Sequence, residues 1–129
     1  MVRTGILNPQ INSLLSRVRH TNTLLITDRG FPYWPTIETV DLSLVDDIPR
    51  VLDVLRAIRL NFTIGQVTMA EEFRSNNSPT VVNEFAQALS GLEIHYETHT
   101  GFKKRVPDVT GIIRTGDTIQ YANMILESS

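Results

Sequence analysis

The chain has 129 residues, a formal net charge of −2, 41% hydrophobic residues and no cysteine. That is one domain of ordinary size, long enough to bury a core. The charge gives no reason to expect nucleic acid or an anionic membrane as partner, and the missing thiols remove disulfides, thiolate chemistry and zinc–thiolate sites. No apolar run approaches the roughly 20 residues of a membrane-spanning helix. The opening Met1-Val2-Arg3-Thr4-Gly5 carries no secretory apolar region, so a cytoplasmic location is the expectation.

Asn8-Pro9 is a helix start, with Asn as cap and Pro at the first helical position. Ile11, Leu14, Leu15 and Val18 follow at helical spacing, predicting a helix that ends near Arg19. His20-Thr21-Asn22 then turns into an apolar strand, Thr23 to Thr27, closed by Asp28-Arg29-Gly30. Phe31-Pro32-Tyr33-Trp34-Pro35 cannot be regular helix, because each proline biases its predecessor towards extended backbone. A short strand is expected over Ile37 to Asp41, then a second helix capped at Asp47-Ile48-Pro49 with Val51, Leu52, Leu55 and Ile58 on one face.

Phe62 to Met69 reads as a strand with a bulge or turn at Gly65, and Glu71-Glu72 open a short stretch ending near Asn77. Ser78-Pro79 starts a helix supported by Val82, Phe85, Ala86 and Leu89 and stopped at Gly91. Leu92 to Glu97 alternates as a half-exposed strand does, and Thr98 caps a short helix through Lys104. Val109 to Arg114 and Ala122 to Leu126 are the last strands, separated by Thr115-Gly116-Asp117. Helices alternating with strands predict a single α/β domain over residues 1–129, three layers deep, with helices on both faces of a central sheet.

Among the polar residues at element ends, His20, Asp28 and His99 can carry protons, and imidazole does so near neutrality. Tyr121 offers a hydroxyl and Asn123 an amide able to bridge neighbouring hydroxyls. On residue type alone, His20 reads as a surface histidine favourable to a helix C-terminus. Asp28 reads as a turn residue bonding its own backbone. Glu71 and Glu72 read as helix-opening carboxylates, His95 as a solvated strand residue, and Lys103-Lys104-Arg105 as a solvated face. No histidine metal centre is expected.

Taken in order, Gly5-Ile6-Leu7-Asn8, His20-Thr21-Asn22, Asp28-Arg29-Gly30-Phe31-Pro32, Ala70-Glu71-Glu72, His99-Thr100-Gly101-Phe102-Lys103, Ile113-Arg114-Thr115-Gly116 and Tyr121-Ala122-Asn123-Met124-Ile125-Leu126 cover essentially the whole chain. This ordered set resembles the D-ribose pyranase / L-fucose mutarotase family (RbsD/FucU). The resemblance implies a cofactor-free monosaccharide ring isomerase acting on a ribose- or fucose-like sugar. It implies His20 as proton donor, His99 as second proton-transfer group or substrate contact, and Asp28 as a ligand of sugar hydroxyls. Tyr121-Ala122-Asn123 would be the substrate-binding segment, Ala122 through its backbone. A ring-like homo-oligomer with sites at subunit contacts is implied too.

Ribose members carry a small residue and Leu after the aspartate, whereas this chain has the bulkier Arg29, Phe31, Tyr33 and Trp34. That loop motivates two alternatives: a non-catalytic monosaccharide-binding or regulatory protein, and a structural oligomerisation module whose aromatic loop fills the pocket.

Overall fold

A computed structural model describes all residues, Met1–Ser129. Asn8 caps the first helix as its side chain accepts the Ile11 N–H at 2.9 Å, and α1 (Pro9–Arg17) buries Ile11 and Leu14. It stops two residues short of Arg19 because Val18 is already extended (ψ 120°). Strand β1 (Thr23–Thr27) lies where its apolar run placed it. The third prediction shortens to β2 (Thr39–Asp41).

The second helix, α2 (Val51–Arg59), is capped differently from the expectation. Its cap residue is Arg50, whose backbone N–H is bonded by the Asp53 carboxylate at 2.8 Å. The Asp47 carboxylate is instead spent on Thr118, accepting its N–H at 3.1 Å and its hydroxyl at 2.8 Å.

Strand β3 (Ile64–Ala70) contains the anticipated irregularity at Gly65, where the pairing register shifts between Ile64 and Gln66. It runs directly into α3 (Glu71–Asn76). Ser78 caps α4 (Pro79–Ala88), β4 spans Glu93–Glu97, and Thr98 caps α5 (His99–Arg105) through the Gly101 N–H at 3.1 Å. A 3-10 turn (Val106–Asp108), β5 (Gly111–Arg114) and β6 (Met124–Ser128) complete the chain.

The six strands form one sheet in the order β2-β5-β1-β6-β3-β4. Strand β1 runs parallel to β5, β5 to β2, and β3 to β4, while β6 is antiparallel to both its neighbours. The C-terminal ends of five strands therefore meet the N-terminal end of β6 along one edge.

Strand alternation sends Leu24, Ile26, Val67, Met69, Ile113, Met124 and Leu126 to the face covered by α1, α2 and α4, where the main core lies. The opposite face carries a smaller core, in which Leu25, Ile112 and Ile125 meet Phe31, Phe102, Val106 and Val109. This is the expected three-layer arrangement, with α5, the 3-10 turn and the aromatic loop as its thinner layer. His95, on the thinly covered side, is half exposed with Nε2 3.1 Å from Glu93. No helix is long and apolar enough to cross a membrane.

Candidate active site

The shared strand-end edge is where ligands collect in open α/β sheets, because loops there are free to vary while their roots are fixed. Asp28 follows β1, His99 opens α5 just beyond β4, and Tyr121-Ala122-Asn123 leads into β6. Asp28, His99, Gln120, Tyr121 and Asn123 line one cavity of about 370 Å³, with Phe31 and Pro32 as its apolar wall. Three distant parts of the sequence are thus joined by strand order alone.

Asp28 is held tightly. Its carboxylate accepts the Gly30 N–H at 2.9 Å, and its own N–H donates to Asn123 Oδ1 at 2.8 Å. Burial pushes its carboxyl above the usual aspartate range. The Gly30 and Phe31 N–H groups and the Asn123 amide oppose that rise, and the neighbouring Asp117 charge adds to it. Asp117 is itself 1% exposed and ties this corner together. Its carboxylate accepts N–H groups from Val51 at 2.9 Å and Ile119 at 2.8 Å, and its carbonyl accepts the Arg29 N–H at 3.0 Å.

The His99 imidazole lies near-parallel to Phe102 (6.4 Å between centroids, 13°) and edge-on to Tyr121 (5.1 Å, 77°). Its Nδ1 is buried without a hydrogen-bond partner within the chain. Tyr121 adopts a left-handed backbone (φ 56°), a conformation costing a non-glycine residue about 1–3 kcal/mol. Ala122 is fully buried in the main core and does not line the cavity with its side chain. Asn123 is turned towards Asp28, so the amide expected to bridge ligand hydroxyls is partly committed within the protein.

His20 is not in this group. It is exposed and precedes β1 at the opposite edge of the sheet, next to Thr21, whose N–H bonds the Ser128 carbonyl at 2.9 Å. The four steps from Thr23 to Thr27 alone span about 13 Å at ~3.3 Å per residue. One chain does not bring His20 to Asp28.

The aromatic loop does not fill the cavity. Tyr33 and Trp34 line a separate space of about 430 Å³ beyond Phe31 and Pro32. Arg114 there is paired with its neighbours, donating to Asp41 at 2.9 Å, to Ser43 at 2.7 Å and to the Arg29 carbonyl at 2.9 Å, whereas Trp34 Nε1 is buried without a hydrogen-bond partner. Trp34 does not lie between His20 and Asp28, the arrangement that would have supported the oligomerisation-module alternative.

Gln120 and Asp117 were not singled out in the sequence. Gln120 adjoins Tyr121, a signal that could have found it. Asp117 gave only a turn signal, since its carboxylate's partner Val51 lies 66 residues away. No group of three His, Asp or Glu side chains converges in a way that could hold a metal ion.

A protein with a mixed α/β sheet and a polar cavity built of an aspartate, a histidine and a tyrosine at its strand ends is equipped for proton transfer on a hydroxylated ligand. The sequence model of the RbsD / FucU transport protein family matches residues 1–129, and the chain belongs to that family. It is 35% identical to the D-ribose pyranase of Geobacillus thermodenitrificans over 99% of this chain and 96% of the relative. Identity to the D-ribose pyranase of Staphylococcus haemolyticus is 36%, over 99% and 97%. Among solved structures, Bacillus subtilis RbsD complexed with D-ribose superposes with a TM-score of 0.92 at 30% identity, covering 100% of this chain and 98% of that one. The fucose mutarotase of Streptococcus pneumoniae in complex with L-fucose shares the fold, with a TM-score of 0.81 at 18% identity over 95% and 93%.

Proposed function

We propose that this protein is a cofactor-free monosaccharide ring isomerase of the pyranase or mutarotase type, most like D-ribose pyranase. The observation that carries the reading is the convergence of Asp28, His99 and Tyr121 on one cavity in a chain about 35% identical to D-ribose pyranases. Ring interconversion needs a proton delivered to the ring oxygen and another removed from the anomeric hydroxyl. The ring then opens to the free aldehyde and closes from another hydroxyl or on the other carbonyl face. Each well-placed acid or base contributes about 10²–10⁴-fold.

In this reading Asp28 and the Tyr121 hydroxyl hold sugar hydroxyls, Asn123 fixes Asp28, and the Ala122 backbone completes the segment. His99 acts as one proton-transfer group. His20 is the other, and because it stands at the far edge of its own sheet, it reaches the cavity of a second copy. A ring-like homo-oligomer with sites at subunit contacts supplies that geometry. A cysteine-free chain of low charge fits a cytoplasmic location.

Saturation-transfer NMR on a panel of reducing sugars, D-ribose and L-fucose included, tests the activity. Faster exchange between ring forms or anomers with protein than without is expected, and the responding sugar identifies the substrate. Binding without enhanced exchange would instead establish a sugar-binding protein of the same fold.

A further inference from the structure

Helix α3 touches both walls of the cavity without lining it. At its start, both Glu72 carboxylate oxygens accept the His99 backbone N–H, at 3.1 and 2.9 Å. Just past its end, the Asn77 amide donates to the α3 carbonyl of Phe73 at 2.8 Å and to the Gln120 carbonyl at 2.9 Å. The first bond fixes where α5 begins, and so where the His99 ring emerges. The second fixes the peptide leading into Tyr121, the residue whose left-handed backbone needs outside support.

An element can position others only if it is itself immobile, and α3 is anchored twice. Phe73 is 1% exposed and packs on Phe85 with centroids 4.7 Å apart. Arg74 lies 3.7 Å over the Tyr96 ring, a cation–π contact, while pairing with Glu71 at 2.5 Å. Glu71 and Glu72 are thus unlike neighbours: one faces solvent and Arg74, the other crosses to α5. A carboxylate accepting a backbone N–H is a charge-assisted bond, about twice as strong as a neutral one.

We propose that Glu72 and Asn77 are positioning residues for the site, α3 being the brace that sets the mutual placement of His99 and Tyr121. The consequence for turnover rests on the isomerase reading; the placement itself does not. Misplacing a reacting group by about 1 Å costs on the order of 10²-fold in rate.

The test joins a spectroscopic and a kinetic measurement on the full chain. The His99 ring protons sit near the Phe102 and Tyr121 rings, so their NMR shifts report its position. Glu72→Ala is expected to move those resonances towards free-histidine values, and Asn77→Ala to move those of Tyr121. Both should lower the saturated exchange rate roughly 10–100-fold with a smaller change in KM. Glu72→Gln, which keeps an acceptor, should restore most of both signals, and Glu84→Ala, at an exposed carboxylate on α4, should change neither. Where Glu72→Ala does not fold, Glu72→Asp serves, its side chain being one methylene too short to reach the His99 N–H. Folded variants with wild-type His99 and Tyr121 resonances would overturn the proposal even if the wild type proved inactive. Inactivity of the wild type with those resonances displaced would sink the isomerase reading and leave the brace standing.

Discussion

Asn123 Oδ1 accepts the Asp28 backbone N–H at 2.8 Å, joining residues 95 positions apart at the centre of the candidate site. Asn123 is 4% exposed, so removing its amide strands a partner that water reaches poorly. Asn123→Ala should cost about 1–3 kcal/mol in denaturant unfolding and weaken sugar affinity in a calorimetric titration. Asn123→Asp should weaken it further, since two carboxylates would then face each other. Wild-type affinity in both variants would mean that the Asp28 turn holds itself.

The raised Asp28 pKa gives a definite sign of pH dependence. Between the unfolded aspartate value, about 3.9, and the higher folded value, the native state binds more protons than the unfolded one. Stability contributed by Asp28 is therefore full below that window and lost as pH rises through it. Asp28→Asn should flatten this descent in urea melts taken from about pH 3.5 to 6. If Asp28 holds sugar hydroxyls as proposed, binding should weaken on acidification at a pH above the ordinary aspartate value. An unchanged pH slope in Asp28→Asn would contradict the assignment.

His20→Ala should leave folding and assembly intact while removing exchange. Asp28→Ala should be equally inactive. If His20 serves another copy's cavity, co-expressing the two variants restores part of the activity, because some sites receive both intact groups. No recovery in demonstrably mixed assemblies would remove His20 from the mechanism.

Gly116 lies beneath the Val45–Ile48 bridge, and a Cβ there would press on the Val45 backbone carbonyl and on two Ile48 backbone atoms. Gly111 is also crowded, but by the Leu14 side chain rather than by backbone. Gly116→Ala is therefore expected to destabilise by about 1–3 kcal/mol and to disturb Asp117 and the Asp28 corner. Gly111→Ala should cost less. The order of their thermal midpoints checks the difference.

Locally determined features were legible in the sequence. Asn8-Pro9, Ser78-Pro79 and Thr98 each begin the helix they signalled, because a cap bonds N–H groups two or three residues ahead. The Asp28, His99 and Tyr121 cluster was readable only with a family pattern in hand, since nothing local says that β6 enters the sheet between β1 and β3. The α2 cap was misread for the same reason. Asp47 looks like a cap, but Thr118 claims its carboxylate, and Asp117 reaches Val51 from 66 residues away. That His20 opens and Asp28 closes one strand was visible from the start, and it already set them at opposite edges.

The antiparallel β6 bears on how the protein acquires its fold. It sits between β1 and β3, with Thr23 opposite Glu127 and Met69 opposite Met124. Until it docks, β2-β5-β1 and β3-β4 are separate ribbons, each with an open inner edge of the kind that recruits other chains. Pairing over such sequence distances is slow. Aggregation during refolding should therefore compete chiefly before Met124–Ser128 insert, and a short peptide of that sequence should act as a decoy for both edges.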